Sequence, residues 1–144
     1  MTTDVGDEGD IHPRRKEPVG MRLALAARAL AYEQKVEHSG PTYDSMSVDG
    51  NKVTLRFKHA AAGLVAKGGP LTGFTIADDD KKFHTAEAKI VADTVVVSSD
   101  KVSNPVAVRY GWAAYPVVNL WNKEDLPASP FRTDSFPITT QDKK

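Results

Sequence analysis

The chain has 144 residues, 40% of them hydrophobic, which is enough for one substantial core. Its 19 basic and 19 acidic side chains leave a formal net charge of zero, so the composition predicts neither a nucleic-acid partner nor a membrane partner. No cysteine is present, which excludes disulfides and thiolate metal sites. A chain without cysteine is compatible with both oxidising and reducing compartments, so the composition does not fix its location. A secreted or periplasmic parent protein is one of the compatible locations.

Residues 1–17 are polar and contain two side chains suited to acid–base chemistry. Glycines and a proline interrupt any regular pattern here, which predicts a flexible arm. Asp10 and His12 are two residues apart, so an extended backbone places both on one face, with the carboxylate within reach of the imidazole. Such a pair makes a general base that needs a serine or a water in front of it. Asp7 is a weaker candidate for the acid, and solvated polar residues on an arm are the alternative interpretation.

A helical pattern follows, from Pro18 to about Glu33. Pro18 suits a first turn, where its missing N–H group is not needed. The apolar stripe of this helix is predicted to consist of Leu23, Ala27, Leu30 and Ala31. A lone helix of this length is marginal in water, so the stripe needs a cover. We expect the helix to dock on the following domain, to pair with its mate in a homodimer, or to stay mobile.

After the turn cluster Ser39-Gly40-Pro41, β-branched and aromatic residues dominate the chain. Six strands are predicted, at 43–48, 52–58, 71–77, 83–91, 94–98 and 106–112. Asp49-Gly50-Asn51 predicts a hairpin turn between the first two. The proline-rich tail, 116–137, is expected to be extended and ordered where its aromatic residues pack. The predicted fold is therefore mainly β, an antiparallel β-sandwich or jelly-roll-like domain preceded by one amphipathic helix.

The remaining polar clusters indicate no metal or cofactor. The histidines at 38, 59 and 84 stand singly, without the spacing that metal ligands have on a helix or hairpin. Asp78-Asp79-Asp80 is predicted to be a solvated turn, since it lacks the alternating ligands of a calcium loop. The glycines at 63, 68 and 69 are not followed by the lysine and helix of a phosphate loop.

Aromatic side chains and arginines concentrate in the C-terminal third of the chain. Flat aromatic rings stack on sugar rings, and an arginine can bind a hydroxyl or a carboxylate. Trp112, Tyr115, Trp121 and Arg109 are therefore the candidate substrate-binding residues. The alternative is structural: the rings fill the core and pin the tail, and Arg109 belongs to a buried ion pair.

A set of idiosyncratic segments gives the chain a family resemblance. These are Asp10-Ile11-His12-Pro13, Val19-Gly20, Arg22-Leu23-Ala24-Leu25-Ala26, Val108-Arg109-Tyr110-Gly111-Trp112, Asn119-Leu120-Trp121-Asn122-Lys123 and the run 126–134. With them the chain, from about residue 2 to residue 134, resembles the C-terminal part of the sialate O-acetylesterases. The resemblance implies removal of acetyl groups from hydroxyls of sialic acids and related sugars by an SGNH-type serine hydrolase domain, with no organic cofactor.

The resemblance also implies a role for each part of the chain. In that family the histidine takes the serine proton and the neighbouring acid orients it, which implies catalytic roles for His12 and Asp10. The nucleophilic serine lies upstream in the family, and this chain has no Gly-x-Ser-x-Gly run. Residues 1–35 would then end the esterase domain, and residues 36–144 would form the C-terminal β-sandwich with its tail. The helix would lie on the parallel sheet of the missing N-terminal part.

Three functional hypotheses follow from these patterns. The first is a C-terminal fragment of a carbohydrate esterase, inactive alone, whose partners are the missing N-terminal esterase domain and an acetylated sugar or sialic acid. The second is a stand-alone carbohydrate-binding β-sandwich. The third is a structural accessory domain that packs on a catalytic partner. An unaided esterase, in which water or one of Ser39, Ser45 and Ser129 replaces the nucleophile, is the least favoured alternative.

Overall fold

The computed structural model describes residues 1–10, 12 and 14–137, and within them it contains one helix followed by ten strands. The helix α1 runs Glu17–Leu30. The strands are β1 Thr42–Asp49, β2 Lys52–Lys58, β3 Leu64–Ala66, β4 Phe74–Ala77, β5 His84–Thr85, β6 Glu87–Val91, β7 Thr94–Ser98, β8 Ala107–Tyr110, β9 Leu120–Asn122 and β10 Phe131–Arg132. The predicted mainly β class is confirmed.

Two four-stranded antiparallel sheets form the body of the β domain. One has the order β1-β2-β7-β6 and the other the order β10-β8-β4-β5. A third, two-stranded sheet pairs β3 with β9. One core cluster draws buried residues from all three sheets, as expected for packed antiparallel layers.

Alternating side chains on β2 and β7 decide which residues enter this core. Val53 and Leu55 on β2 are fully buried, whereas Lys52 and Arg56, which flank them, are exposed. The sheet containing β4 and β8 supplies the two largest buried side chains, Tyr110 and Phe74, together with Ile76 and Val108. Burying each side chain of this size contributes roughly 1.5–3 kcal/mol. The core therefore rests on the alternation that the sequence displays.

The predicted strand at 83–91 is two strands that belong to different sheets. β5 pairs with β4, β6 pairs with β7, and Ala86 lies between them. The amide of Ala86 donates to the carbonyl of Phe74 at 3.1 Å, so the chain leaves one sheet as it enters the other. Residue alternation shows which side of a strand is buried, but it carries no information on which sheet the strand joins.

The tail 116–137 is extended, as expected, and it also contributes two strands that the sequence did not predict. β9 pairs with β3, and β10 pairs with β8. The strand predicted at 106–112 ends earlier, at Tyr110, where Gly111 adopts a left-handed φ of 63°. The strand predicted at 71–77 starts only at Phe74.

The helix ends at Leu30, short of the predicted end near Glu33. Glu33 has a φ of 53°, which no α-helix interior accommodates, and the amide of Gln34 donates to the carbonyl of Arg28 to close the last turn. Within the described residues, no helix combines the length and apolar character that crossing a membrane requires.

The helix docks on the β domain through a different face from the predicted stripe. Leu23 and Leu30 of that stripe are exposed. The half-buried positions are Pro18, Val19, Arg22, Leu25, Ala26 and Ala29. Alanines and leucines surround most of this helix, so their spacing in the sequence does not show which side faces the β domain.

Candidate functional site

The Asp10–His12 pair forms a local, solvent-facing unit. The Oδ1 atom of Asp10 accepts a hydrogen bond from the backbone N of His12 at 2.8 Å and lies 3.3 Å from the Nδ1 atom of the same residue. The two side chains are 45% and 81% exposed. The other candidate acid, Asp7, instead accepts from the amide of Gly9 at 2.9 Å. The structure thus pairs His12 with Asp10, whereas Ile11 and Pro13 of the motif lie outside the described residues.

This geometry has a defined chemical capability. A carboxylate at Nδ1 favours the tautomer with the proton on that nitrogen, and the lone pair of Nε2 is then free to take a proton from a nucleophile. The same carboxylate stabilises the imidazolium that forms. An exposed His with an oriented carboxylate has the arrangement that general-base catalysis requires.

The start of the arm is anchored, which differs from the flexible arm that the sequence predicts. Val5 is buried, and the carboxylate of Asp4 makes two hydrogen bonds to Arg22 on α1. Burial alone would raise the pKa of Asp4, but the hydrogen bonds from Arg22 and from the Asp4 backbone lower it below its ordinary value. The bonds join residues 18 positions apart, and local polarity cannot reveal such a pair.

Trp112 and Tyr115 are the candidate sugar-binding residues that present surface to solvent. Both rings are about half exposed. Trp112 lies on a shallow cavity of about 450 Å³ together with Gly111, Ala113, Ala114 and Pro130. Tyr115 lies beside the arm, because its Cε2 atom is 3.7 Å from the position that a Cβ on Gly6 would occupy. The loop after β8 therefore runs next to the segment that leads to Asp10.

Arg109 and Trp121, the other two candidates, are engaged within the protein. Arg109 donates from Nε and Nη2 to the carboxylate of Asp134, at 2.8 Å in both bonds, so the ion-pair alternative describes its contacts. The Trp121 ring is buried, and the Nζ atom of Lys67 lies 3.5 Å from its centroid. Their part in substrate binding stays a prediction. Of the four candidate substrate-binding residues, these two expose the least surface to solvent.

No cluster of three or more His, Cys, Asp or Glu residues within the described ranges has the geometry to hold a metal ion.

Comparisons with known proteins show what this chain is similar to. No protein-family model matches the chain. The sialate O-acetylesterases of Pongo abelii and Homo sapiens are 31% and 30% identical to it over 134 and 133 residues. A solved carbohydrate acetylesterase from Xanthomonas citri is 48% identical, with a TM-score of 0.88 over 92% of this chain and 31% of that one. The chain is similar to the sialate O-acetylesterases over most of its own length.

The relationship covers only part of such an enzyme. Each sialate O-acetylesterase alignment spans 85% of this chain and 25% of the relative, so the chain spans about a quarter of the length of the curated relatives it matches. This confirms the family resemblance predicted from the sequence, and the coverage is consistent with a C-terminal part of a larger sialate O-acetylesterase-like protein.

Sequence reasoning missed two structural residues of this region. Arg22 belongs to one of the family motifs, but the sequence does not show its bond to Asp4. Asn122, likewise part of a motif, is 1% exposed and donates from Nδ2 to the carbonyls of Ser39 and His59. A polar residue between buried neighbours in a short strand was the available signal, but its partners lie far away in sequence.

Proposed function

We propose that this chain is the C-terminal portion of a carbohydrate O-acetylesterase and supplies the acid and the base of a serine triad. One observation carries the proposal: the Asp10 carboxylate faces Nδ1 of an exposed His12, in a chain that aligns over 92% of its length with a carbohydrate acetylesterase. The nucleophilic serine and the oxyanion donors would come from polypeptide outside this sequence. The 144 residues alone are then inactive towards acetyl esters.

The proposed reaction is a two-step acyl transfer. Nε2 of His12 takes the proton of the serine hydroxyl as its oxygen attacks the acetyl carbonyl, and the resulting imidazolium returns that proton to the departing sugar oxygen. Water then attacks the acetyl-enzyme with the same histidine as base, which releases acetate and restores the serine. Asp10 keeps the imidazole in orientation and stabilises its charge.

The domain division follows from the same proposal. Residues 1–35 would complete the esterase domain, and residues 36–144 would form the C-terminal β-sandwich. The exposed Met21, Leu23 and Leu30 support this division, because a helix seldom leaves three large apolar side chains in water unless another surface covers them. The missing N-terminal domain is the proposed cover, and a homodimer through α1 is the competing arrangement.

The substrate would be an acetylated sugar. Trp112 and Tyr115 offer half-exposed rings on the loop that runs beside the arm, and ring stacking gives binding area at little entropic cost. Arg109 and Trp121 would act behind this surface, since their contacts with Asp134 and Lys67 hold the surrounding loops.

A chimera tests the proposal. This chain replaces the matching 31% of the Xanthomonas citri acetylesterase, and hydrolysis of 4-nitrophenyl acetate is measured. We expect the isolated chain to be inactive, the chimera to be active, and His12→Ala in the chimera to lower kcat by about 10³-fold or more. Glu8→Gln, two residues from the pair on the same exposed arm, is the matched control and should retain activity. A folded but inactive chimera, or an active His12→Ala variant, contradicts the proposal.

The second candidate is a carbohydrate-binding β-sandwich without chemistry, favoured by the exposed Trp112. Calorimetric titration of the isolated chain with sialic acids and acetylated plant polysaccharides separates the two. Binding that Trp112→Ala reduces by about tenfold, together with an inactive chimera, would favour this candidate. Val117→Ala is the control, because Val117 is an exposed apolar residue in the same segment between β8 and β9.

A further inference from the structure

Arg22, a residue of α1, connects the helix to the beginning of the arm and to the β domain. From the docked face of α1 its Nη1 and Nη2 atoms donate to the two carboxylate oxygens of Asp4, at 2.6 and 2.8 Å, and Nη1 also donates to the carbonyl of Met1 at 2.8 Å. Its guanidinium lies 5.7 Å from the ring centroid of Trp121 on β9. The helix, the beginning of the arm and the β domain therefore meet at one side chain.

These contacts form in a largely water-excluded place. The side chains of Arg22 and Asp4 are 12% and 17% exposed. A bidentate arginine–carboxylate pair fixes both distance and orientation, which a lysine cannot reproduce. No residue of α1 is fully buried, and the helix docks through half-buried positions. Among these, Arg22 is the one whose side chain hydrogen-bonds to the arm.

The pair has a direct consequence for the arm. Asp4 and the buried Val5 hold the chain on one side of Asp10 and His12, and α1 holds it on the other side from Glu17 onward. The segment between is a loop with both ends attached. If Asp4 were released, the same residues would belong to a free terminus, whose conformational freedom is much greater.

We propose that Arg22, acting through Asp4, is a positioning residue that holds the Asp10–His12 pair in place against the β domain. This role depends on the proposed function, because positioning matters for rate only if His12 is the base. Small displacements of a catalytic group cost about 10²-fold in rate. The β domain would then take part in catalysis indirectly, through Trp121 and Arg22.

The first experiment uses the isolated chain and needs no catalytic activity. Heteronuclear ¹⁵N relaxation of the amides of Gly6, Gly9 and His12 is compared in the unsubstituted protein, Arg22→Lys and Asp4→Asn. We expect both substitutions to lower the order of these amides while the β-sheet amides stay unchanged. Arg28→Lys is the control, since Arg28 lies on the same helix but bonds to Gln34. Equal order in all four proteins would overturn the proposal.

The second experiment measures kcat and KM in the chimera. Arg22→Lys is expected to lower kcat about tenfold or more with KM changed by less than about twofold, and Arg28→Lys to change neither. Arg22→Asp alone leaves two carboxylates facing each other. The exchanged pair Asp4→Arg with Arg22→Asp restores an ion pair at the same two positions, and it should recover part of the kcat that Arg22→Asp alone loses. An unchanged kcat in a folded Arg22→Lys chimera overturns the proposal.

The two experiments keep this role distinct from the proposed function. If the unsubstituted chimera is folded and inactive, the proposed function and the catalytic part of the Arg22 role both fail. The relaxation data still decide whether Arg22 orders the arm. If the chimera is active and sensitive to His12→Ala but not to Arg22→Lys, only the Arg22 role fails.

Discussion

Asp134 is the buried carboxylate on which the tail of the β domain depends. It accepts two hydrogen bonds from Arg109 and one from the amide of Phe136 at 3.1 Å, and its side chain is 1% exposed. The hydrogen bonds from Arg109 are the main reason that its pKa is lowered, and they outweigh the effect of burial. Arg109 in turn stacks on Phe83, with its Cζ atom 3.9 Å from the ring centroid.

This pair predicts a sign for the pH dependence of stability. A carboxyl whose pKa is lower in the folded state stabilises the protein above its unfolded pKa of about 4, and that contribution is lost as the pH falls through the folded value. We expect Asp134→Asn to reduce the free energy of unfolding by about 2 kcal/mol at pH 7 and to flatten its decline below about pH 4. Urea unfolding at several pH values provides the measurement.

The exposed Asp93 supplies the matched control for this experiment. Asp93→Asn should leave both the stability at pH 7 and its acid dependence close to those of the unsubstituted protein. An Asp134→Asn protein with the full acid dependence would show that other carboxyls are responsible.

At the scale of elements, the linker between α1 and β1 is fixed to the β domain. Asn122 bonds to the carbonyls of Ser39 and His59 and accepts from the amide of Leu126. Gly40 packs so closely that an added Cβ would lie 1.9 Å from the carbonyl oxygen of Pro127. A linker held in this way transmits the position of the β domain to the helix and the arm.

Two glycine substitutions test this close packing, because they are expected to change the stability of the protein in opposite directions. Gly40→Ala is expected to destabilise the protein by about 3 kcal/mol or more, because its neighbour is backbone and cannot move cheaply. Gly20→Ala, in the interior of α1 with nothing within 4 Å, should stabilise it by about 0.5–1 kcal/mol. Thermal unfolding of both variants measures the difference. A neutral Gly40→Ala would mean that the linker is not held against Pro127.

Elements with regular alternation were predictable from the sequence, and those defined by distant partners were not. The bounds of β2 and β7 match the predicted strands, because the alternating apolar residues of β2 and the run of three valines in β7 mark them directly. β9 and β10 have two or three residues and lie among prolines, so local pattern does not distinguish them from extended tail. The division between β5 and β6 depends on which sheet accepts each strand.

The same distinction holds for the candidate site. Asp10 and His12 are two residues apart, and their contact follows from local geometry that the sequence predicts. The Arg22–Asp4 and Arg109–Asp134 bonds span 18 and 25 residues, so only the fold brings these charges together. The different exposure of Trp112 and Trp121 likewise depends on the fold, because Trp121 lies in β9, which pairs with the distant β3.

For the whole molecule, the most telling feature is the contrast between a well-packed β core and the exposed helix residues and exposed Asp10–His12 pair that precede it. The core is built from all three sheets, whereas α1 presents Leu23 and Leu30 to solvent. The chain spans about a quarter of the curated sialate O-acetylesterases and 31% of the Xanthomonas citri enzyme. An exposed helix face is what the proposed contact with further polypeptide requires.

The most direct test of the central claim is kcat for 4-nitrophenyl acetate hydrolysis by the chimera after Asp10→Asn, with Asp7→Asn as the comparison. If Asp10 orients His12, Asp10→Asn lowers kcat by about 10²–10⁴-fold, while Asp7→Asn changes it less than about twofold. Equal losses for both variants, or full activity after Asp10→Asn, would contradict the claim that this pair is the acid and base of an acetylesterase.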